Sequence, residues 1–380
     1  MQIVVKTLFG LEEVLAEELK SLGCTSPVIM NRAVKVEGDM EMLYRINYRC
    51  RTAMSVLMPI ASFQIGSDRD LYHRAAKIAW DDYFTHTDTF SVVPVVNSTL
   101  FNHTGYPALV LKDSIVDLFR KRVDERPSVD TARPDIVINL HISDKRVNIS
   151  LDSSGDPLHR RGYRVSPGKA PINEVLAAGM IMISGWNGET TLLDPMCGSG
   201  TIGLEAAMIN MEIPPGKFRQ SWSFMNWKGF DSSLLERVRS EADSRIKYHC
   251  AGIVCSDISR DAITTATMNL SSAGLASHVK LVTKDFFASS GGGKKYTIIT
   301  NPPYGERIRE EDISGFYSSI GERLKHGYES STAWIITSNL GALKHVGLKP
   351  SKKLTLFNGS LECRYVRYEL FPGRRNAGKG

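Results

Sequence analysis

The sequence predicts an α/β protein whose carboxyl-terminal half is built on a mostly parallel sheet. Three observations predict this class. Strand-like apolar runs alternate with helical patterns from residue 156 onward, which is the order that builds a parallel sheet. One of these runs ends in a glycine turn at residues 198–200. The length of 380 residues exceeds the size at which one hydrophobic core keeps growing, so we expect two or three domains.

The first predicted domain covers residues 1–62 and alternates strand and helix signals. Apolar residues at helical spacing predict helices, and short apolar runs predict strands. In chain order the predicted elements are a strand at 3–5, a helix at 11–22, a strand at 33–36, a helix at 40–46 and a strand at 54–60. This order is typical of a ferredoxin-like unit.

A second α/β pattern predicts a domain over residues 63–155. Amphipathic helices are predicted at 69–84 and 109–123, and strands at 90–96, 136–141 and 147–151. Basic side chains lie on the outward faces of both helices. They fit a solvated surface and a contact with RNA phosphates equally well.

The third predicted domain covers residues 156–380. Its strands are predicted at 191–193, 252–255, 279–282, 296–300 and 333–337, followed by a hairpin of 354–357 and 362–370. Asn358-Gly359 separates the two hairpin strands, and Asn-Gly between apolar runs is a strong hairpin signal. Together these elements predict a seven-stranded sheet, mostly parallel, with an antiparallel hairpin at its carboxyl-terminal end.

Composition excludes several classes of protein. The chain is 42% hydrophobic and 23% charged, and it contains no apolar run of about 18 residues that would span a bilayer. Its start lacks signal-peptide features, so we expect a cytoplasmic protein. The six cysteines form no C-x-x-C pair, which argues against a metal site or a disulfide framework. The net charge of +6 mildly favours an anionic partner such as nucleic acid.

The glycine turn predicts a cofactor site. Gly198-x-Gly200-x-x-Gly203 satisfies the dinucleotide fingerprint, in which backbone amides hold a pyrophosphate, so an NAD or FAD enzyme has to be considered. However, the preceding strand ends in Asp194, whose negative charge repels a pyrophosphate and suits the ammonium group of a methionine moiety. We therefore favour S-adenosylmethionine. Its predicted contacts in and after this turn are Asp194, Pro195, Met196, Cys197, Gly198, Ser199, Gly200 and Thr201, with Asn301 as a further contact from later in the chain.

Two further carboxylates follow neighbouring predicted strands. Asp257, followed by Ile258, leaves the second strand and is placed to accept hydrogen bonds from ribose hydroxyls. It lies further downstream than the usual ~20 residues because residues 214–248 intervene. Asp285, followed by Phe286, leaves the third strand and can accept the adenine amino group. The alternatives are a surface aspartate at Asp257 and an ordinary turn at Asp285.

Asn301-Pro302-Pro303-Tyr304 predicts a site that holds a flat amine. It directly follows an apolar strand, at the sheet edge where ligands bind. The Asn301 side-chain oxygen and the Pro302 carbonyl can each accept one N–H bond from the amine. Pro303 stiffens the loop, and Tyr304 offers a ring on which a planar base can stack. The alternative is a plain proline loop with a core tyrosine.

Together these motifs resemble the RNA guanine-N2 methyltransferases that carry a THUMP domain, also known as the UPF0020 RNA methylases. The resemblance rests on residues 194–201 with Glu205-Ala206-Ala207 and on residues 301–307. Arg161-Gly162-Tyr163-Arg164 and Ala170-Pro171-Ile172-Asn173-Glu174 are also similar to the family's segment that opens the catalytic domain and closes over the cofactor. It implies a class I Rossmann-like methyltransferase domain preceded by ferredoxin-like and THUMP domains. It also implies methyl transfer from S-adenosylmethionine to guanine N2 in structured RNA, with ribosomal RNA favoured over tRNA.

Candidate RNA contacts lie in two basic stretches. They are Arg160, Arg161 and Arg164 in a basic segment that opens the third domain, together with Arg307 after the Pro-Pro loop. A surface ion pair is an equal alternative for Arg307.

Three other functions remain open. The same Asn-Pro-Pro-Tyr motif occurs in enzymes that methylate adenine N6 or a protein glutamine, so it predicts the reaction and not the substrate. A non-catalytic RNA-binding protein and a nicotinamide oxidoreductase are the other two. The sequence does not decide between a monomer and a homodimer.

Overall fold

The computed structural model describes residues 1–165, 171–303 and 310–372. The predictions made for Tyr304 and Arg307 therefore lie outside the described residues. The chain divides into two compact units, each of which is built from segments that are not contiguous in sequence. The first unit comprises Met1–Thr7, Ala16–Leu158 and Arg219–Glu241, and the second comprises Leu8–Leu15, His159–Phe218 and Ala242–Gly380.

Strands and helices alternate through most of the described chain. The strands are β1 (Gln2–Lys6), β2 (Val28–Met30), β3 (Ala33–Glu37), β4 (Ser55–Gln64), β5 (Thr89–Asn97), β6 (Ser128–Val129), β7 (Ile136–Ser143), β8 (Arg146–Asp152), β9 (Thr191–Asp194), β10 (Ile253–Asp257), β11 (Lys280–Thr283), β12 (Tyr296–Thr300), β13 (Thr332–Thr337), β14 (Lys352–Asn358) and β15 (Leu361–Glu369). The helices are α1 (Glu12–Ser21), α2 (Met40–Arg49), α3 (Asp68–Ala75), α4 (Tyr106–Val123), α5 (Glu174–Ser184), α6 (Thr201–Asn210), α7 (Ser232–Asp243), α8 (Arg260–Ser272) and α9 (Glu310–Gly327).

One eight-stranded sheet runs through the first unit, in the order β2-β3-β1-β4-β8-β7-β5-β6. The long strand β4 joins its two halves. It pairs with β1 through Ser55 to Leu57 and with β8 through Leu57 to Gln64, with a register shift between Pro59 and Ala61. The ferredoxin-like and THUMP-like parts of the sequence therefore share a single sheet.

One helix in this unit is shorter than the sequence predicts. The pattern at 69–84 predicts one continuous helix, whereas α3 ends at Ala75 and a separate 3₁₀ turn covers Trp80–Asp82. At the end of α3 the Ala75 carbonyl accepts the backbone N–H of Ile78 at 3.2 Å and the indole N–H of Trp80 at 3.0 Å.

The segment Arg219–Glu241 contributes aromatic side chains to the first unit. Phe224 stacks on Tyr44 with ring centroids 4.4 Å apart, and Trp222 stacks on Phe224 at 5.8 Å. Arg219 is buried and donates to the carbonyls of Ser154, Asp156 and Pro157. These bonds give the turn-rich segment after β8 a fixed conformation.

The second unit contains the predicted seven-stranded sheet, in the order β11-β10-β9-β12-β13-β15-β14. The five strands from β11 to β13 are parallel, and β15 pairs antiparallel with both β13 and β14. Gly359, with φ +65°, forms the turn of the predicted hairpin. The expected fold class is confirmed. Among the described helices, none combines the length and the apolar character that a bilayer crossing requires.

The amino-terminal segment Leu8–Leu15 belongs to the second unit. Phe9 meets Phe357 edge to face at 5.5 Å, and Gly179 in α5 leaves room for Leu11. Gly10 has φ +87°, and a Cβ built on it would lie 2.4 Å from the Thr355 carbonyl oxygen. Only glycine permits this conformation and this close approach.

Candidate active site

Carboxyl ends of three neighbouring strands meet at one edge of the second sheet. Asp194 ends β9 and is aligned with Cys255 of β10, and Ile298 of β12 is aligned with Leu193 of β9. Asn301 follows β12 directly. The strand order alone therefore brings the glycine turn, Asp257 and the Pro-Pro loop to the same place, because β9 lies between β10 and β12.

A cavity of about 600 Å³ opens at this edge, within the second unit. Most of the predicted cofactor residues line it, as do Asn301 and Pro303 from the predicted amine-holding loop. The cofactor residues on its wall are Asp194, Pro195, Met196, Cys197, Gly198, Ser199, Thr201, Asp257, Ile258, Asp285 and Phe286. Gly200 and Pro302 do not line it: Gly200 caps α6, and Pro302 is buried beside Asn301.

The three glycines of the turn and of α6 are required for two reasons, namely a positive φ and close packing against a neighbouring element. Gly198 and Gly200 have φ of +52° and +80°, which glycine adopts without strain. Gly200 also packs on α8, because a Cβ there would lie 2.9 Å from the Ala266 Cβ. At Gly203 a Cβ would lie 2.2 Å from the Cys255 Sγ, so this glycine lets α6 pack closely on β10.

Asp194 is a buried carboxyl group on the cavity wall. It is 1% exposed, and burial raises its pKa to about 7. Four aspartates line the cavity, namely Asp194, Asp257, Asp261 and Asp285, and its described lining includes no lysine, arginine or histidine. The site is therefore suited to a ligand that brings its own positive charge.

Asp257 connects β10 to the glycine turn. One of its carboxylate oxygens accepts the Gly198 backbone N–H at 3.0 Å, and the other accepts the Ser259 N–H at 2.9 Å. Each oxygen keeps a second lone pair, which is what a ribose diol requires from one carboxylate. Ile258 beside it is 71% exposed and presents an apolar surface to the cavity.

Asp285 begins a short 3₁₀ turn, where its carboxylate accepts the Phe287 N–H at 2.9 Å. This bond holds the side chain at the cavity. Phe286 is largely buried against the core of the sheet, whereas Phe287 and Phe316 are partly exposed and meet edge to face at 5.5 Å. The part of the cavity wall that these phenylalanines form is thus aromatic.

Of the arginines predicted to contact RNA, Arg161 is buried inside the second unit. Arg161 is 2% exposed and pairs with Glu205 of α6 at 3.5 Å, and Tyr163 donates to the same carboxylate at 2.9 Å. A buried guanidinium is out of reach of a phosphate in solution, which argues against the predicted RNA contact at Arg161. Arg160 is exposed, as an RNA contact requires.

Arg164 lies behind the glycine turn. Its guanidinium donates to the Glu174 carboxylate at 2.7 Å, to the Thr201 hydroxyl at 3.0 Å and to the Ser199 hydroxyl at 3.3 Å. Its side chain is 17% exposed. The structure thus ties this arginine to two residues of the cavity wall, and its contact with RNA stays a prediction.

Several cavity residues were not predicted. Ser259, Asp261, Ala262 and Thr265 belong to the start of α8, and Phe316 forms the aromatic wall together with Phe287. Pro171 and Ile172 also line the cavity, and they lie in the segment for which the resemblance implied closure over the cofactor. Asp261 and Thr265 are four residues apart and so share a helix face, and this spacing can be recognised in the sequence. No local pattern distinguishes Phe316 from the core residues of α9.

A mostly parallel seven-stranded sheet with an antiparallel final hairpin, and with acidic residues at successive strand ends, defines a Rossmann-like methyltransferase fold. The chain belongs to the UPF0020 family, whose model, described as "RMKL-like, methyltransferase domain", matches residues 161–367. The THUMP domain model matches residues 67–152, and the model of the RlmL ferredoxin-like domain matches residues 2–57.

Two relatives illustrate the extent of the similarity. The chain is 37% identical over 373 residues to a "Ribosomal RNA large subunit methyltransferase K/L" of Syntrophotalea carbinolica, covering 95% of this chain and 52% of that protein. It is 37% identical over 367 residues to a "Putative RNA methyltransferase" of Synechocystis, covering 95% of both. The chain thus spans about half the length of the K/L relative and nearly all of the second.

Among solved structures, the chain is similar to SMU.472, "a putative methyltransferase complexed with SAH". The TM-score is 0.88 at 27% identity, with 98% of this chain and 99% of that chain covered. Nearly the whole chain therefore shares its fold with that structure.

Proposed function

We propose that this protein transfers a methyl group from S-adenosylmethionine to the exocyclic N2 amine of a guanosine in structured RNA, with large-subunit ribosomal RNA as the favoured substrate. The main observation is that one cavity is lined both by an acidic wall without a described cation and by Asn301. The first feature suits a cationic cofactor, and the second suits an amine acceptor.

The residues present fit this cofactor. Asp194, with its pKa raised to about 7, lacks a cation on the described cavity wall, and the cofactor's ammonium group supplies one. The amino terminus of α6 opens at the cavity through Thr201 and favours a carboxylate. Asp257 and Asp285 both line the cavity, and we assign Asp257 to the ribose and Asp285 to the adenine amino group. A dinucleotide would bring a pyrophosphate to this acidic wall, which argues against a nicotinamide oxidoreductase.

Bound S-adenosylmethionine supplies an electrophilic methyl group on a sulfonium. The chain's own residues orient the acceptor. The Asn301 side-chain oxygen and the Pro302 carbonyl accept the two N–H groups of the amine, so that the nitrogen lone pair is directed at the methyl carbon. The same oxygens stabilise the positive charge that develops on the nitrogen, which then loses a proton to water.

RNA as the substrate is supported by the THUMP match at residues 67–152 and by the names of the relatives. An RNA guanine that is base-paired has to leave its helix before the amine can enter the cavity.

The test is methylation of rRNA and tRNA by the purified protein with isotopically labelled S-adenosylmethionine, followed by mass spectrometry of the nucleosides. We expect labelled N2-methylguanosine from 23S rRNA. Labelled N6-methyladenosine would replace the guanine assignment, labelled tRNA alone would replace the rRNA assignment, and no transfer to either RNA with intact cofactor binding would favour a non-catalytic RNA-binding protein.

A further inference from the structure

We propose that Arg164 is a positioning residue: it orients the hydroxyl groups of Ser199 and Thr201 so that one hydroxyl hydrogen of the pair is directed into the cavity, where it holds the carboxylate of the cofactor's methionine moiety. The inference rests on the proposed function, because it assigns residues to one group of S-adenosylmethionine. It also gives part of the basic segment, for which RNA contact was predicted, a role in the cofactor site.

Hydrogen-bond geometry fixes the guanidinium. Nε donates to Glu174 at 2.7 Å, one terminal nitrogen donates to Ser199 Oγ at 3.3 Å, and the other donates to Thr201 Oγ1 at 3.0 Å and to the Ile172 carbonyl at 3.4 Å. The Glu174 side chain is 7% exposed and lies in the first turn of α5. The guanidinium is thus held from four directions.

Both hydroxyl oxygens accept an N–H from Arg164, so neither hydroxyl can direct its own hydrogen back at the guanidinium. The two oxygens are 3.3 Å apart, and either can donate to the other. Once one has done so, the remaining hydroxyl hydrogen needs another acceptor. Ser199 and Thr201 both line the cavity, so this hydrogen is available to a ligand there.

Charge complementarity identifies the ligand group. The cavity wall is otherwise acidic, which repels a carboxylate, and the cofactor's carboxylate therefore needs a specific donor set. Hydroxyl donors next to the amino terminus of α6 meet this need. Glu174 balances the charge of Arg164, so the arginine acts through the direction of hydrogen bonds rather than through net charge.

The test compares two ligands in the absence of RNA: S-adenosylmethionine and its decarboxylated analogue, which keeps the sulfonium, ribose and adenine. Isothermal titration calorimetry gives Kd for each. We expect the wild-type protein to prefer S-adenosylmethionine by on the order of tenfold, the size expected for a hydrogen bond to a charged group. Arg164→Gln should abolish this preference while changing the Kd of the analogue by less than about threefold.

Lys325→Gln is the charge control, since it removes one positive charge from the exposed surface of α9 and should leave both Kd values unchanged. Arg164→Lys keeps the charge but loses the planar set of donors, and it should lose the preference as well. Full preference in Arg164→Lys would show that net charge matters rather than hydroxyl direction and would overturn the inference.

Should Arg164→Gln fail to fold, as judged by its melting curve, Ser199→Ala combined with Thr201→Val removes the same donors and should abolish the same preference. Equal weakening of both ligands in the variants would indicate a merely structural role and overturn the inference, while leaving the proposed function intact. A wild-type protein that binds neither ligand would instead overturn the proposed function.

Discussion

The carboxylate of Asp257 accepts the backbone N–H of Gly198 at 3.0 Å and thereby joins the end of β10 to the glycine turn after β9. One side chain thus shapes the turn and also faces the cavity. Substitution of Asp257 by asparagine partly separates the support of the turn from the charge at the cavity, because asparagine keeps one side-chain oxygen acceptor and loses the negative charge.

Asp257→Ala should weaken the binding of S-adenosylmethionine at least tenfold, since a hydrogen bond that involves a charged group contributes about 1.5–3 kcal/mol. It should also lower the melting temperature, because the Gly198 N–H loses its partner. Asp257→Asn keeps an oxygen acceptor for only one of the two backbone N–H groups, so it should lose less stability than Asp257→Ala while also losing the affinity. Calorimetric binding and thermal unfolding of the three proteins give both quantities. Equal affinities would remove Asp257 from the cofactor site.

Cofactor affinity should depend on pH through Asp194. In the free protein its pKa is about 7, and pairing with an ammonium group lowers that pKa. Affinity should therefore fall as the pH drops below about 7, by up to tenfold per unit. It should also fall above about pH 8, where an α-amino group loses its proton. Kd values from pH 5.5 to 9 should show a maximum of affinity between these limits, and Asp194→Asn should lose the acid limb.

Asp194 should also limit the stability of the ligand-free protein. Its folded-state pKa of about 7 lies above the usual aspartate pKa of 3.8, so the folded state favours the protonated form. The free energy of unfolding therefore falls as the pH rises from about 4 to about 7, because Asp194 ionises in the unfolded state but stays protonated in the folded state. At pH 8 the buried carboxylate is ionised in both states and is fully destabilising. Asp194→Asn should raise the melting temperature more at pH 8 than at pH 5. A constant difference between the two pH values would contradict this account.

Asn301→Ala should reduce methyl transfer by about 100-fold or more while leaving the Kd for S-adenosylmethionine within a factor of about three, because the oxygen acts on the acceptor amine. Asn187→Ala is the matched control. Asn187 is exposed, its side chain accepts the Glu189 N–H, and it is not among the described residues that line the cavity. Single-turnover rates and calorimetry measure the two effects. Full activity in Asn301→Ala would exclude the amine-holding role.

The sequence predicts those features of the site that depend on local chemistry. Asn358-Gly359 predicts the hairpin because only a few residues adopt positive φ, and the structure places Gly359 at φ +65° in that turn. The glycine turn and the carboxylates at strand ends are predictable for the same reason, since each follows an apolar run that ends at the ligand-binding edge of a sheet.

Partners that are distant in sequence account for what could not be predicted. The buried Arg161 pairs with Glu205, 44 residues further along the chain, so one arginine of a segment that predicts RNA contacts is part of the protein interior. Likewise, Trp222 and Phe224 pack in the first unit although their stretch of sequence lies within the predicted third domain. Local periodicity contains no information on either pairing.

The close packing of α6 on β10 at Gly203 allows a prediction on stability. An alanine Cβ there would lie 2.2 Å from the Cys255 Sγ, so Gly203→Ala should destabilise the protein by about 1–3 kcal/mol through overpacking. Cys255→Ala removes the clashing sulfur, and the double variant should lose less free energy of unfolding than the sum of the two single variants. Gly315→Ala in α9 is the control, because nothing lies within 4 Å of its Cβ and it should be neutral or stabilising. Urea unfolding of the four variants gives the coupling free energy. Simple additivity would show that the clash is relieved by movement of the backbone instead of by the sulfur.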